Sequence, residues 1–282
     1  MNGQTSMVAF RVRLAIGGYA QAIIASADDR VGDTVQPSTL SVGQLMNLIR
    51  RALLRFAAEG RNTGRASYFA RKSWKLIQER RWKDATFFAE AAVAADPEWS
   101  HGYRMLALAL EGSGNFEMAR DALERGLKAA PADPDILEEF GNLLMKTRQY
   151  AAAEETYRRA LEVRPNRQET LRMLGRALEA QVKLTDAANV LQHARQLSPS
   201  DHRVLAALGE VECQQRHWEE ANTLLESAIR LGSTSPLSHY YRAYALAALG
   251  KTAEALNVLQ VALTIDPSNP TFRKLKAELK TV

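Results

Sequence analysis

Apolar residues recur every three or four positions through most of the chain, and this spacing is typical of one face of an α-helix. Leu137, Phe140 and Leu144 follow the spacing in one stretch, and Ala153 and Tyr157 follow it in the next. Short polar segments separate such stretches. The pattern therefore predicts pairs of helices, about a dozen residues each, joined by short turns.

The helical pairs repeat with a period of 34 residues, which the prolines mark. Five prolines share one register, and Ser233 fills the remaining slot. These prolines are Pro97, Pro131, Pro165, Pro199 and Pro267. A proline after the second helix of a pair stops that helix, because it has no backbone N–H to donate. The register divides residues 66–269 into six repeats, 66–99, 100–133, 134–167, 168–201, 202–235 and 236–269.

Three columns of small residues keep the same register. Small side chains at fixed points allow the two helices of a repeat to approach closely. The columns read Ala85, Ala119, Ala153, Ala187, Ala221 and Ala255; then Ala92, Gly126, Ala160, Ala194, Ala228 and Ala262; then Ser73, Ala107, Gly141, Gly175, Gly209 and Ala243. One hairpin cannot cover its own apolar face, so successive repeats are expected to stack.

The repeat resembles the tetratricopeptide repeat family over 204 of the 282 residues, which is six times 34. The matching positions in the third repeat are Leu137, Phe140, Gly141, Leu144, Tyr150, Ala153, Tyr157, Ala160 and Pro165. The resemblance implies an all-α fold, a right-handed α-α superhelix of six 34-residue hairpins. It also implies a concave groove, formed by the first helix of each repeat, that binds peptides or partner helices.

Segments outside the repeats are expected to extend the array. Residues 41–65 predict an amphipathic helix and a linker, and residues 270–282 predict a C-terminal capping helix. Residues 1–40 form an N-terminal extension, either a targeting segment or a small packed segment. Within it, residues 7–27 fit a strand, a helix interrupted by glycines, an export signal or an organelle-targeting helix.

Two of the six repeats depart from the apolar pattern in a way that predicts a contact. The fifth repeat has Glu212 and the sixth has Arg242 at normally apolar positions of the repeat. Because a lone buried charge is costly, the two side chains are expected to approach each other. The first repeat also departs, with Lys72 and Ser73.

The net charge of +5 is unevenly distributed, with eleven Lys or Arg and two acids in residues 50–83. Such a surplus attracts an acidic surface or an anionic membrane. The candidate basic patch is Arg50, Arg51, Arg55, Arg71, Lys72, Lys75, Arg80 and Arg81. Nucleic acid is disfavoured as a partner, because most aromatic residues of this segment fall on packing positions.

Candidate chemistry is sparse in this chain. The sequence contains no phosphate-binding loop and no histidine pair at metal spacing, and its one cysteine, Cys213, leaves no partner for an internal disulfide. We therefore predict no enzyme activity, no metal and no cofactor. No apolar run is long enough to span a membrane. The lack of an internal disulfide suits the cytosol, so the expected location is cytoplasmic, and peripheral membrane association is one option. The alternative is export, with residues 1–27 as the signal.

The residues of the groove face are expected to determine which partner binds, because packing between the helices does not constrain them. The candidate groove residues are Trp74, Ile77, Arg104, Leu108, Asn142, Arg172, Arg176, Arg203, Tyr240 and Tyr244. Aromatic and arginine residues often dominate interface energies. The sequence thus predicts a non-enzymatic scaffold or adaptor that binds a peptide or helix of another protein within a larger assembly. Alternatives are a membrane- or nucleic-acid-associated factor that docks through residues 50–83, and a scaffold that self-assembles into homo-oligomers.

Overall fold

The computed structural model describes residues 42–58 and 60–280. Within these ranges the chain forms fourteen α-helices and no strand, so the prediction of an all-α fold is confirmed. The expectations for residues 1–40 lie outside the described residues. The helices are α1 Val42–Ala57, α2 Thr63–Gln78, α3 Trp82–Ala95, α4 Ser100–Gly112, α5 Phe116–Ala129, α6 Pro134–Lys146, α7 Tyr150–Val163, α8 Gln168–Ala180, α9 Leu184–Leu197, α10 His202–Gln214, α11 Trp218–Arg230, α12 Pro236–Ala248, α13 Thr252–Ile265 and α14 Pro270–Lys280.

The chain divides into two compact parts, an N-terminal unit, Met1–Pro131, and a C-terminal unit, Ala132–Val282. The N-terminal unit contains the hairpins α2–α3 and α4–α5, with α1 packed against α3. The C-terminal unit contains the hairpins α6–α7, α8–α9, α10–α11 and α12–α13. Its last helix, α14, packs on α13 and buries Phe272, Leu275 and Leu279, as expected for a capping helix.

Close approach within the hairpins explains the column of small residues. A Cβ atom added to Gly209 would lie 2.7 Å from Cγ of Leu225 on the facing helix. Gly141 stands against the ring of Tyr157 in the same way, and Gly175 against Leu191. Any larger residue at these positions would force the two helices apart.

The turn between the two helices of each repeat contains one residue with positive φ. Glycine takes this position twice, and residues with side chains take it four times. The residues and their φ angles are Arg80 56°, Gly114 81°, Arg148 59°, Val182 60°, Arg216 66° and Gly250 78°. The left-handed conformation suits glycine and costs about 1–2 kcal/mol for a residue with a Cβ atom.

The departures in the first repeat have a structural reason. The ammonium of Lys72 lies 5.4 Å from the ring centroid of Phe88, so its charge faces an aromatic ring. The hydroxyl of Ser73, fully buried, donates to the carbonyl of Ala85 over 2.9 Å. Both polar groups therefore have partners on α3.

The predicted contact between Glu212 and Arg242 is wrong. The carboxylate of Glu212, which is buried, instead contacts Nδ1 of His217 over 2.6 Å. Arg242 donates to Glu226 over 2.6 Å and to Asn222 over 3.2 Å, both on α11. Each charged side chain has another polar partner nearby, so neither is buried alone, and the energetic cost on which the prediction was based does not arise.

Candidate functional site

The first helices of the four repeats in the C-terminal unit lie side by side. Helix α6 packs on α8, α8 on α10, and α10 on α12. Their outward residues form a common face, because residues three and four positions apart share one side of a helix. We name this surface the α6–α12 face.

An open cleft of about 370 Å³ lies on the α6–α12 face. Met145, Leu237 and the ring of Tyr241 supply the apolar part of its lining. The polar part of the lining comes from Arg176, Glu179, Glu210 and Gln214. A concave site with apolar groups and a few fixed polar groups is typical of ligand-binding surfaces in proteins.

Arg176 joins two neighbouring repeats across the cleft. Its guanidinium contacts Glu210 on α10 and lies 3.2 Å from Glu179 on its own helix. Gln214 donates to the other oxygen of Glu179 over 2.6 Å. Burial raises the pKa of Glu210, and the positive charge of Arg176 opposes that shift. The polar part of the cleft is therefore held in place by bonds within the protein.

The remaining predicted arginines of this face are also paired. Arg172 contacts Glu169 on the same helix. Arg203, on α10, lies 3.3 Å from Glu169 on α8 and 2.9 Å from Asp201. The hydrogen bonds from Arg203 lower the pKa of Asp201 below its usual range, against the opposing effect of burial. Asp201 also caps α10 by accepting from the backbone N–H of Arg203 over 2.8 Å.

The side chain of Asn142 is held by a hydrogen bond from the second helix of its repeat. Its side-chain oxygen accepts a hydrogen bond from the hydroxyl of Tyr157 over 2.8 Å. The ring of Tyr157 is fully buried beneath α6 and α8, so the amide has one orientation. Burial raises the pKa of this tyrosine, which keeps it a hydrogen-bond donor.

The two tyrosines predicted at the C-terminal end of the groove have different surroundings. The ring of Tyr240 stacks on Phe272 of the capping helix, with centroids 5.2 Å apart. Tyr244 is 42% exposed and meets the ring of Trp218 edge-on at 5.7 Å. Tyr240 therefore stabilises the end of the array, whereas Tyr244 is available at the surface.

The expectation that every groove position escapes packing is wrong in the fifth repeat, at the positions equivalent to Arg172, Arg176 and Glu179. Ala206, Glu210 and Cys213 have exposures of only 7%, 4% and 2%. Helix α12 packs directly against α10 and covers this side of it. Burial raises the pKa of the Cys213 thiol to about 12, so the thiol is protonated at neutral pH.

Four predicted groove residues belong to the N-terminal unit. Trp74 is 47% exposed on α2, and Ile77 is half-buried beside Leu76. Arg104 and Leu108 are half-buried on α4. The structure thus places the candidates in two sets, one in each unit.

The predicted basic patch also separates into two kinds of cation. Arg50 lies 5.4 Å from the centroid of Phe87, Lys72 faces Phe88, and Arg81 pairs with Asp84 over 2.7 Å. The other members of the patch are exposed, namely Arg51, Arg55, Arg71, Lys75 and Arg80.

Some cleft residues lie on or beside the groove stripe but are not among the candidate groove residues. Met145, Glu179 and Leu237 occupy the same repeat positions as selected groove residues, so their position was the available signal. Tyr241 falls one position outside that stripe, and only the packing of α12 against α10 brings it to the cleft.

Across residues 42–58 and 60–280, no group of three or more His, Cys, Asp or Glu side chains is placed to hold a metal ion. None of the helices in those ranges combines the length and apolar character needed to cross a membrane.

Solved structures resemble this chain in fold. The structure of Pseudomonas aeruginosa pilF matches with a TM-score of 0.68 at 14% identity, over 76% of this chain and 97% of that one. YrrB, described as a TPR protein with an unusual peptide-binding site, matches with a TM-score of 0.55 at 19% identity, over 67% and 97%. TTC0263, a TPR protein of Thermus thermophilus, matches with a TM-score of 0.52 at 22% identity, over 65% and 100%.

Family profiles identify the repeat itself. No curated protein matches the chain in sequence. Profiles of the tetratricopeptide repeat match residues 100–143, 138–202 and 206–270, together more than half of the 282 residues. With the hairpins, the small-residue columns and these matches in agreement, the chain belongs to the tetratricopeptide repeat family.

Proposed function

We propose that this protein is a non-enzymatic scaffold that binds an extended peptide or a helix of a partner protein on the α6–α12 face. A general role in protein–protein interaction follows from the family. The cleft lined by Met145, Leu237 and Tyr241 is the observation that supports this particular surface. YrrB, which shares the fold, is described as having a peptide-binding site.

Apolar contacts supply the affinity in this proposal. Leu237 and Tyr244 are 40% and 42% exposed on α12, and each offers a surface that a partner can cover. Fully burying an exposed leucine side chain contributes about 1.5–3 kcal/mol, so covering the exposed part of Leu237 contributes about 1 kcal/mol, or about fivefold in affinity. Aromatic side chains add area with little loss of conformational freedom.

Charged residues set the register of the partner. Arg172, Arg176 and Arg203 already contact carboxylates of this protein, so they form a fixed pattern of alternating charge. Such a pattern discriminates between partners more than it adds affinity. The complex is therefore expected to weaken little as salt is raised.

Selection of peptides from a displayed random library against the full chain provides the probe. The affinity of a selected peptide is then measured by fluorescence anisotropy for the intact protein and for two variants. Leu237→Glu places a charge in the cleft and should weaken binding about tenfold or more. Leu231→Glu is the matched control, because Leu231 is 44% exposed and does not line the cleft.

The two leucine variants should have equal thermal stability, since both side chains are exposed. Equal affinity of Leu237→Glu and Leu231→Glu for every selected peptide would remove the cleft as the binding site. Loss of binding in both variants with intact folding would do the same, because the effect would then not be specific to the cleft.

A further inference from the structure

Helix α2 carries an exposed stripe that the proposed scaffold function does not use. Tyr68 and Trp74 are 43% and 47% exposed, and Arg71 and Lys75 are exposed between and beside them. At about 100° per residue, the four side chains fall within about 120° of arc. The opposite side of the helix packs inward, with Phe69 buried.

Four exposed cations of α1 and α2 have no acidic partner among the described residues. Arg51 and Arg55 on α1, and Arg71 and Lys75 on α2, form no ion pair with any residue in the described part of the chain. Other cations nearby are neutralised, since Arg61 contacts Asp96 over 2.9 Å. The surplus of positive charge seen in the sequence is therefore concentrated on the outer sides of α1 and α2.

Contacts with aromatic rings hold the two helices in one part of the N-terminal unit. Arg65, on α2, lies 4.4 Å from the ring centroid of Phe56 on α1 and donates to the carbonyl of that residue. Arg50 of α1 and Lys72 of α2 face the adjacent rings of Phe87 and Phe88 on α3, whose centroids are 5.3 Å apart. The exposed cations thus lie on two helices that both pack against α3.

We propose that this α1–α2 basic face, comprising Arg51, Arg55, Tyr68, Arg71, Trp74 and Lys75, docks on the surface of a bilayer that contains anionic phospholipids. Clusters of exposed Lys and Arg are attracted to the negative surface potential of such a bilayer. Guanidinium groups bind phosphate oxygens in a bidentate manner. Tyr and Trp side chains place their apolar rings and polar atoms at the level of the headgroups.

The shape of the face favours a bilayer over nucleic acid. Proteins that bind single strands without sequence preference combine a basic groove with stacked aromatic side chains. The exposed rings of Tyr68 and Trp74 instead lie on one side of a single helix. A flat, fluid surface can contact such a face along its length.

Cosedimentation with vesicles tests the proposal on the full chain. The protein is mixed with vesicles of phosphatidylcholine alone and with vesicles that also contain about 30% phosphatidylglycerol. We expect binding to the anionic vesicles only, and a steep loss of binding when salt is raised from about 0.1 M to about 0.5 M.

Charge-reversal variants locate the surface. Arg71→Glu with Lys75→Glu should weaken binding about tenfold or more. Arg230→Glu with Lys251→Glu is the matched control, because these cations are exposed in the C-terminal unit and the change in net charge is equal. Trp74→Ala, which leaves the charge unchanged, should weaken binding about threefold or more. Circular dichroism confirms that each variant is folded, and Arg71→Gln with Lys75→Gln replaces the first variant if it is not.

Three results would overturn the proposal. The first is equal binding to neutral and anionic vesicles, or to neither. The second is an equal loss in the two charge-reversal variants, which would indicate attraction by net charge alone. The third is displacement of the protein from vesicles by a short DNA duplex at a lower phosphate concentration than that of the lipid, which would identify nucleic acid as the preferred partner.

Discussion

The C-terminal end of the repeat array and its N-terminal helices expose very different surfaces. At the C-terminal end, α14 covers the last hairpin, and Phe272 is 1% exposed where it stacks on Tyr240. In the N-terminal unit, α1 packs against α3, and the stripe of Tyr68 and Trp74 on α2 stays exposed. Repeat arrays need a cover for their apolar ends. The last hairpin of the C-terminal unit is therefore covered by α14, whereas α2 of the N-terminal unit keeps two aromatic side chains exposed.

The same contrast holds for charge. Arg172, Arg176 and Arg203 of the C-terminal unit contact carboxylates on their own or a neighbouring helix. Arg71 and Lys75 of the N-terminal unit contact none among the described residues. Paired charges fix the geometry of a surface, and unpaired charges attract a partner over longer distances. The two units are therefore suited to different kinds of interaction.

The largest expected effect on stability concerns one aromatic side chain from each unit. Phe272→Ala should lower the free energy of unfolding by about 3 kcal/mol, because it empties a fully buried site between α12, α13 and α14. Trp74→Ala should change it by less than about 0.5 kcal/mol, because that ring is exposed. Urea denaturation followed by circular dichroism measures both. Comparable losses of stability in the two variants would mean that the two side chains are packed alike.

The next effect concerns paired and unpaired arginines. Arg176→Met leaves the carboxylate of Glu210 buried without its cation and should cost about 2 kcal/mol, reduced by the partial exposure of Arg176. Arg71→Met should cost less than about 0.5 kcal/mol. Adding Glu210→Leu to Arg176→Met should restore most of the loss, and a double variant as unstable as the single one would contradict the pairing.

The smallest expected effect on stability is its dependence on pH through Asp201. The pKa of Asp201 is lowered in the folded protein, so its carboxylate stabilises the fold above its unfolded pKa of about 4, and this stabilisation is lost as the pH falls. Asp201→Asn keeps an oxygen that can cap α10 but cannot ionise. The variant should be less stable than the parent by about 1 kcal/mol at pH 7. Denaturation midpoints at about pH 7 and about pH 2 should show a difference at the first pH that shrinks at the second, and a constant difference would contradict the assignment.

The fold could be predicted because its constraints repeat. In one column of small residues, Gly141 faces Tyr157 and Gly209 faces Leu225, so the close approach of the two helices requires a small residue there. The same column holds a small residue in all six repeats, which makes the requirement visible in the sequence. Apolar spacing likewise placed Phe272, Leu275 and Leu279 on the packed side of α14. Such features depend on local geometry that a linear pattern records.

The contacts between surface side chains could be predicted only in part, because long charged side chains can reach several neighbours. Repeat positions identified the stripe that includes Arg176, but not that Glu210 would be buried against it. Glu212 contacts His217, five residues later, and not Arg242 in the next repeat. Several charged side chains can reach any one surface site, and the sequence spacing does not decide among them.

The left-handed turn residues affect how the array folds. Arg80, Arg148, Val182 and Arg216 adopt a backbone conformation that their side chains oppose, whereas Gly114 and Gly250 adopt it freely. Four of the six hairpins must therefore be closed by contacts between their helices, against the local preference of the chain. We therefore expect the hairpins that contain Gly114 and Gly250 to close at the lowest local conformational cost, one in each unit.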